Sequence, residues 1–151
     1  MKPTACLIGL SIALTCTQTL AYTCSVAATA LNFGVVEGRG NQAWRSTATL
    51  TVVCQGATSA VDVSYQLFSD GSGSGERSMA GAGGGANYQL YTSADYQRVW
   101  GDTAGSAISD SYSLAANSSQ TRVYTVYARM LPGRQAAPGA YTALSTVRLV
   151  Y

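Results

Sequence analysis

The chain contains no histidine. That absence removes the Ser-His and Cys-His nucleophile systems and the commonest transition-metal ligand. Charge is sparse as well. Only 11% of the 151 residues are charged, nine basic against seven acidic, for a net charge of +2. The arginines are scattered and the one lysine is Lys2, so no basic patch marks a nucleic-acid or membrane-surface partner. The carboxylates are Glu37, Asp62, Asp70, Glu76, Asp95, Asp102 and Asp110. None sits in the aromatic-rich context of a sugar cleft, and a secreted hydrolase is the weakest functional reading. No long apolar stripe of helical period is present. The main apolar run near the start, Leu7 to Leu14, is too short to span a bilayer.

That run follows a short basic start, Met1-Lys2, and precedes Thr19-Leu20-Ala21, which places small residues where a signal peptidase reads. Residues 1–21 are therefore expected to be a secretory leader rather than an anchor. Cys16 follows Ala13-Leu14-Thr15, a poor match to a lipoprotein signal. The remainder, 22–151, is one domain's length. Cys6 and Cys16 fall in the leader, leaving Cys24 and Cys54 in a chain bound for an oxidising compartment. A disulfide between them is the natural reading, the alternative being two buried thiols. Two cysteines without histidine are too few soft ligands for zinc.

Strand signals recur along 22–151. They run over Cys24–Phe33, Ala48–Cys54, Val61–Phe68, Tyr88–Thr92, the fragment Val99-Trp100, Arg122–Met130 and Tyr141–Tyr151. The ten tyrosines and many Thr and Val residues suit half-buried pleated surfaces. About seven short strands separated by turn signals predict an all-β antiparallel sandwich, with a barrel as the alternative. Gly71, Gly73, Gly75, Gly81, Gly83, Gly84 and Gly85 make residues 71–86 glycine-rich, and a mobile loop is expected there. The stretch Asp70 to Glu76 offers oxygen ligands but lacks carboxylates at alternate positions, so it is read as a hairpin tip and no metal or other cofactor is expected. Asn117-Ser118-Ser119 matches a glycosylation acceptor. Trp100 is read as a core aromatic; Trp44 is either a core or a surface residue.

The last segment carries the most functional information. Val147, Leu149 and Tyr151 alternate with Thr146 and Arg148, the pattern of a half-buried strand. This terminal strand is expected to find no neighbour within the chain, so that another chain supplies one.

Several motifs in order carry a resemblance. Cys24-Ser25-Val26 is followed by Asn32-Phe33-Gly34, Thr51-Val52-Val53-Cys54, Ser69-Asp70-Gly71-Ser72-Gly73 with Arg77-Ser78-Met79, Tyr88-Gln89-Leu90-Tyr91, and Trp100-Gly101-Asp102. Val123-Tyr124 to Met130-Leu131-Pro132 and Gly139-Ala140-Tyr141 through Tyr151 complete the set. Over nearly all of 22–151 the chain resembles the spore coat protein U domain of Csu-type archaic chaperone–usher pilus subunits. The resemblance implies an incomplete immunoglobulin-like sandwich lacking its last strand, a Cys24–Cys54 disulfide, and an apolar groove bordered by Val147, Leu149 and Tyr151, with Val26 on the other wall. It implies a periplasmic chaperone, an outer-membrane usher and neighbouring pilus subunits as partners, with no small-molecule substrate. Only Tyr22-Thr23 would precede Cys24 after the leader, so the expected role is an acceptor of a strand rather than a donor: a tip or terminating subunit, or a stand-alone coat protein. Thr142 and Ala143 stand where family chains often carry an acid. A second reading is an adhesive module acting through residues 71–86 and 101–111.

Overall fold

The computed structural model describes residues 21–36, 42–71, 76–81, 84–130 and 138–151. Among these residues nine strands form: β1 (Tyr22–Ala28), β2 (Trp44–Gly56), β3 (Val61–Ser69), β4 (Arg77–Gly81), β5 (Gly84–Tyr91), β6 (Ile108–Leu114), β7 (Ser119–Met130), β8 (Tyr141–Thr142) and β9 (Val147–Val150). One short 3₁₀ turn spans Ala104–Ser106, and no α-helix occurs among the described residues. Two antiparallel sheets result, one in the order β1-β2-β7-β5-β4-β8 and the other β6-β3-β9. This is the expected sandwich; the immunoglobulin-like comparison suits it.

The period-2 pattern of the sequence maps directly onto the two layers. Leu50, Val52 and Cys54 of β2 and Val126, Ala128 and Met130 of β7 face Val63, Tyr65 and Leu67 of β3, all of them buried. Successive side chains of a strand point to opposite faces, so every second residue enters the interior. Trp100 is buried among them, and its indole Nε1–H donates to the Leu67 carbonyl at 2.9 Å. That bond satisfies the one polar atom a buried tryptophan brings with it. Trp44 packs half-buried against the same core.

Three expectations change. The glycine-rich stretch is not one loop. Residues 77–81 and 84–91 pair as the β4–β5 hairpin, with Met79 opposite Ala86 and Ala80 opposite Gly85. Glycine is used there for close approach: a Cβ on Gly85 would lie 2.6 Å from the Ser78 hydroxyl, and one on Gly81 2.6 Å from the Ala140 carbonyl. Composition suggested mobility because glycine is costly to order, but ladder hydrogen bonds and packing offset that cost. Residues 72–75 and 82–83, including most of the candidate calcium loop, lie outside the described residues.

The terminal segment is also two strands rather than one. Tyr141–Thr142 pairs with β4 in the larger sheet, and Val147–Val150 pairs with β3 in the smaller sheet. The intervening chain crosses between layers, leaving Leu144 exposed and Ser145 in hydrogen-bond contact with the Tyr88 hydroxyl at 3.1 Å. Finally, the first strand stops at Ala28. Leu31, Phe33 and Val36 leave the ladder but still pack on the core, with the Phe33 ring 6.2 Å from that of Tyr88.

Candidate functional site

Cys24 lies directly opposite Cys54 across the β1–β2 ladder, and the two form a disulfide with Cα atoms 4.1 Å apart. That separation belongs to the non-hydrogen-bonded pairs of an antiparallel ladder. The flanking bonds set the same phase: Ala57 N–H donates to the Ala21 carbonyl at 3.0 Å, and Thr29 N–H to the Thr49 carbonyl at 2.9 Å. Odd-numbered residues of β1 therefore bond to β2. The N–H and C=O groups of Cys24 and Val26 point the other way, to the outer edge, while their side chains turn inward and pack on the core.

The smaller sheet repeats this arrangement. Asp70 N–H donates to the Thr146 carbonyl at 3.0 Å, and Arg148 and Val150 stand opposite Phe68 and Gln66. By the same alternation, Val147 and Leu149 turn their backbone groups to the outer edge of β9 and their side chains to the core. β9 thus does have a neighbour in the chain, β3, which corrects the expectation that it has none. Its second edge has no strand partner among the described residues. Arg148, on the opposite face, places its guanidinium 4.4 Å from the centre of the Phe68 ring.

These two edges lie together. β9 lies against β1, and the Tyr22 and Tyr151 rings meet at 5.7 Å. The Tyr22 hydroxyl donates to the Ser64 carbonyl at 3.0 Å and ties the start of β1 to β3. The structure therefore gathers Val26, Val147, Leu149 and Tyr151 on one flank of the sandwich. Val26, Val147 and Leu149 are half-buried, Tyr151 is 46% exposed and the neighbouring Val150 44%. Tyr22 belongs with them; the alternation Tyr22, Cys24, Val26 carries that signal in the sequence.

The chemistry of this flank stands out against the other sheet edges. β8 is two residues long. β6 carries a carboxylate, Asp110, turned into the sandwich. Short edges and inward charges are the usual means of blocking unwanted strand pairing. β1 and the four-residue β9 lack an inward charge: the side chains they turn to the core are Tyr22, Cys24, Val26 and Val147, Leu149.

The opposite flank is polar. The Tyr124 hydroxyl of β7 donates to Asp110 Oδ2 and accepts from the Tyr65 hydroxyl at 2.6 Å. Burial and the adjoining carboxylate push the Tyr124 phenol far above its usual range, and burial raises Tyr65 and Tyr112 too. Arg122 lies 3.7 Å from Asp110 and over the Tyr112 ring. Sequence reading missed this cluster, because its members come from three strands with no shared motif. Beside it opens a groove of about 430 Å³, lined by Arg98, Ile108, Val123, Tyr124 and Thr125 among others.

The profile of the Spore Coat Protein U domain matches residues 10–148. The chain belongs to the Spore Coat Protein U domain family. The family is one of secreted pilus and coat subunits, structural rather than enzymatic. No curated protein matches the chain. Of the segments proposed for adhesion, residues 77–81 and 84–86 of this family member are built into the β4–β5 hairpin, and residues 108–111 into β6.

Proposed function

We propose that this protein is a non-enzymatic structural subunit of a surface pilus or coat, completed by a strand from another protein that adds to the outer edge of β9 and runs along β1. One observation carries the reading. On this flank the free backbone groups and the inward apolar side chains belong to the same residues, Val26, Val147 and Leu149. An incoming extended segment would gain ladder hydrogen bonds from the backbone and specificity from pockets for its alternate side chains. The apolar, uncharged row explains why a partner is needed: left open, such an edge templates aggregation.

The partners proposed are a periplasmic chaperone that covers the flank first, an outer-membrane usher, and a neighbouring subunit that replaces the chaperone. Export removes residues 1–21, and N-terminal sequencing of the exported chain should begin at Tyr22; retention of the leader would contradict this. Co-expression with the cognate chaperone should give a soluble one-to-one complex, and deletion of residues 145–151 should abolish it. Stable, soluble folding of the exported chain with no affinity for the chaperone would refute the reading.

A further inference from the structure

Among the described residues, the flank formed by β6 and β7 is also without a strand partner. β6 pairs only with β3, and residues 119–126 of β7 pair only with β2 among the described residues. The ladder phases identify the free groups. Even-numbered residues of β3 bond to β9, so its odd-numbered residues bond to β6, opposite Ile108, Asp110 and Tyr112. The edge groups of β6 therefore belong to Ser109, Ser111 and Ser113. On β7, Gly56 N–H donating to the Ser118 carbonyl at 2.9 Å sets the phase that leaves Thr121, Val123 and Thr125 facing outward. Val123 is 62% exposed. By backbone geometry alone, this flank could accept a strand as well as the other could.

Asp110 stands at the centre of that edge. Its Oδ1 accepts the Ser111 N–H at 2.8 Å, which occupies one of the donors an incoming strand would need. Its Oδ2 accepts the Tyr124 hydroxyl from the facing sheet, and Arg122 of β7 lies 3.7 Å away. One side chain thus caps an edge donor of β6, ties β6 to β7 across the gap, and places a charge where an added strand would bury it. Burying that charge without its present partners would leave it desolvated and uncompensated, which disfavours strand addition there. Across the β1–β9 flank the Tyr22 ring meets that of Tyr151 and its hydroxyl bonds to the Ser64 carbonyl, but no charge stands between the strands, and an incoming apolar strand can replace the ring contact with contacts of its own kind.

We propose that Asp110 is the residue that decides where the sandwich accepts a strand, sealing the β6–β7 flank so that addition is confined to β1–β9. This rests on the strand-addition reading above. It makes the subunit a one-sided acceptor and keeps assembly linear: a sandwich open on both flanks would take two strands and branch.

The test uses the full chain, exported and oxidised, as wild type, Asp110→Asn, Asp110→Ala and the control Asp62→Asn. Asp62 accepts the Ser113 hydroxyl on the outer face of the small sheet. Size-exclusion chromatography with light scattering is followed by residue-resolved amide exchange. The expected result is new oligomers in both Asp110 variants, in which the Ser109, Ser111 and Ser113 amides exchange at least about tenfold more slowly than in the monomer. Wild type and Asp62→Asn should show no such slowing. If Asp110→Ala does not fold, the shape-conserving Asp110→Asn decides. Folded Asp110 variants with no slowing at β6 would overturn the proposal, as would slowing at β6 in wild-type oligomers. Failure of the underlying reading has a different signature: Val147 and Leu149 would stay unprotected in the chaperone mixture whatever occupies position 110.

Discussion

Replacing both Cys24 and Cys54 by serine should weaken the fold by an amount that the chain itself sets. The bridge closes a 30-residue separation, and the chain-entropy relation assigns about 3–4 kcal/mol to a loop of that size. Two further effects act in the same direction. Cys54 is fully buried, so a serine hydroxyl there must find a partner or cost about 1–3 kcal/mol. β1 is an edge strand whose backbone ladder is with β2 alone, so the crosslink is its main covalent restraint. The double variant should therefore lose at least about 3 kcal/mol in urea denaturation, read by the fluorescence of buried Trp100, with a melting temperature lower by roughly 10–15 °C. Amide exchange should accelerate most in residues 22–28. Wild type treated with reductant should reproduce the entropic part. A loss below about 1 kcal/mol, or acceleration spread evenly over both sheets, would refute the reasoning that the bridge acts by fastening β1.

Other outcomes follow from the same structure. Leu149→Asp places a charge in the uncharged row of β9; it should leave the isolated fold standing but weaken chaperone capture at least about thirtyfold, the scale of a central interface residue. Arg148→Ala, on the opposite face, should cost about 0.5–2 kcal/mol through loss of the Phe68 contact and leave capture unchanged, as titration calorimetry would show. Trp100→Phe removes the donor to the Leu67 carbonyl and should lower stability by about 1–3 kcal/mol with secondary structure retained by circular dichroism. Tyr65, Tyr112 and Tyr124 all have raised phenol values in the folded state. The fold thus holds protons that the unfolded chain releases, so their contribution is fully present below the unfolded value of about 10 and is lost as pH rises beyond it. Spectrophotometric titration should show these tyrosines resisting ionisation until alkaline unfolding begins; independent titration of all ten in a folded chain would contradict this.

Much of the fold is legible in the residues because most strands bury one face only. Val61 to Phe68 alternates, and β3 follows from Val61 to Ser69. The alternation of Val147 and Leu149 likewise matches β9, though the strand ends at Val150 and pairs with β3 instead of standing unpaired. Legibility fails where pairing, not periodicity, decides. Gly81 and Gly85 read as loop residues, yet the Ala140 carbonyl approaches Gly81, and the Ser78 hydroxyl Gly85, too closely for a side chain. The crossing between β8 and β9 is hidden because Tyr141, Val147 and Leu149 all pack on one core while belonging to two sheets. The alternation of Ile108, Asp110, Tyr112 and Leu114 with three serines puts Asp110 on the inward face, but its partners Tyr124 and Arg122 lie far off in the chain and nothing local to Asp110 names them.

Residue-resolved amide exchange at β9, with and without the chaperone, tests strand addition most directly. In the isolated chain Arg148 and Val150 should exchange slowly because they bond to β3, while Val147 and Leu149 exchange fast. In the complex Val147 and Leu149 should become protected, together with Cys24 or Val26 if the partner also bonds β1. Fast exchange at Val147 and Leu149 in a stable complex would contradict the account.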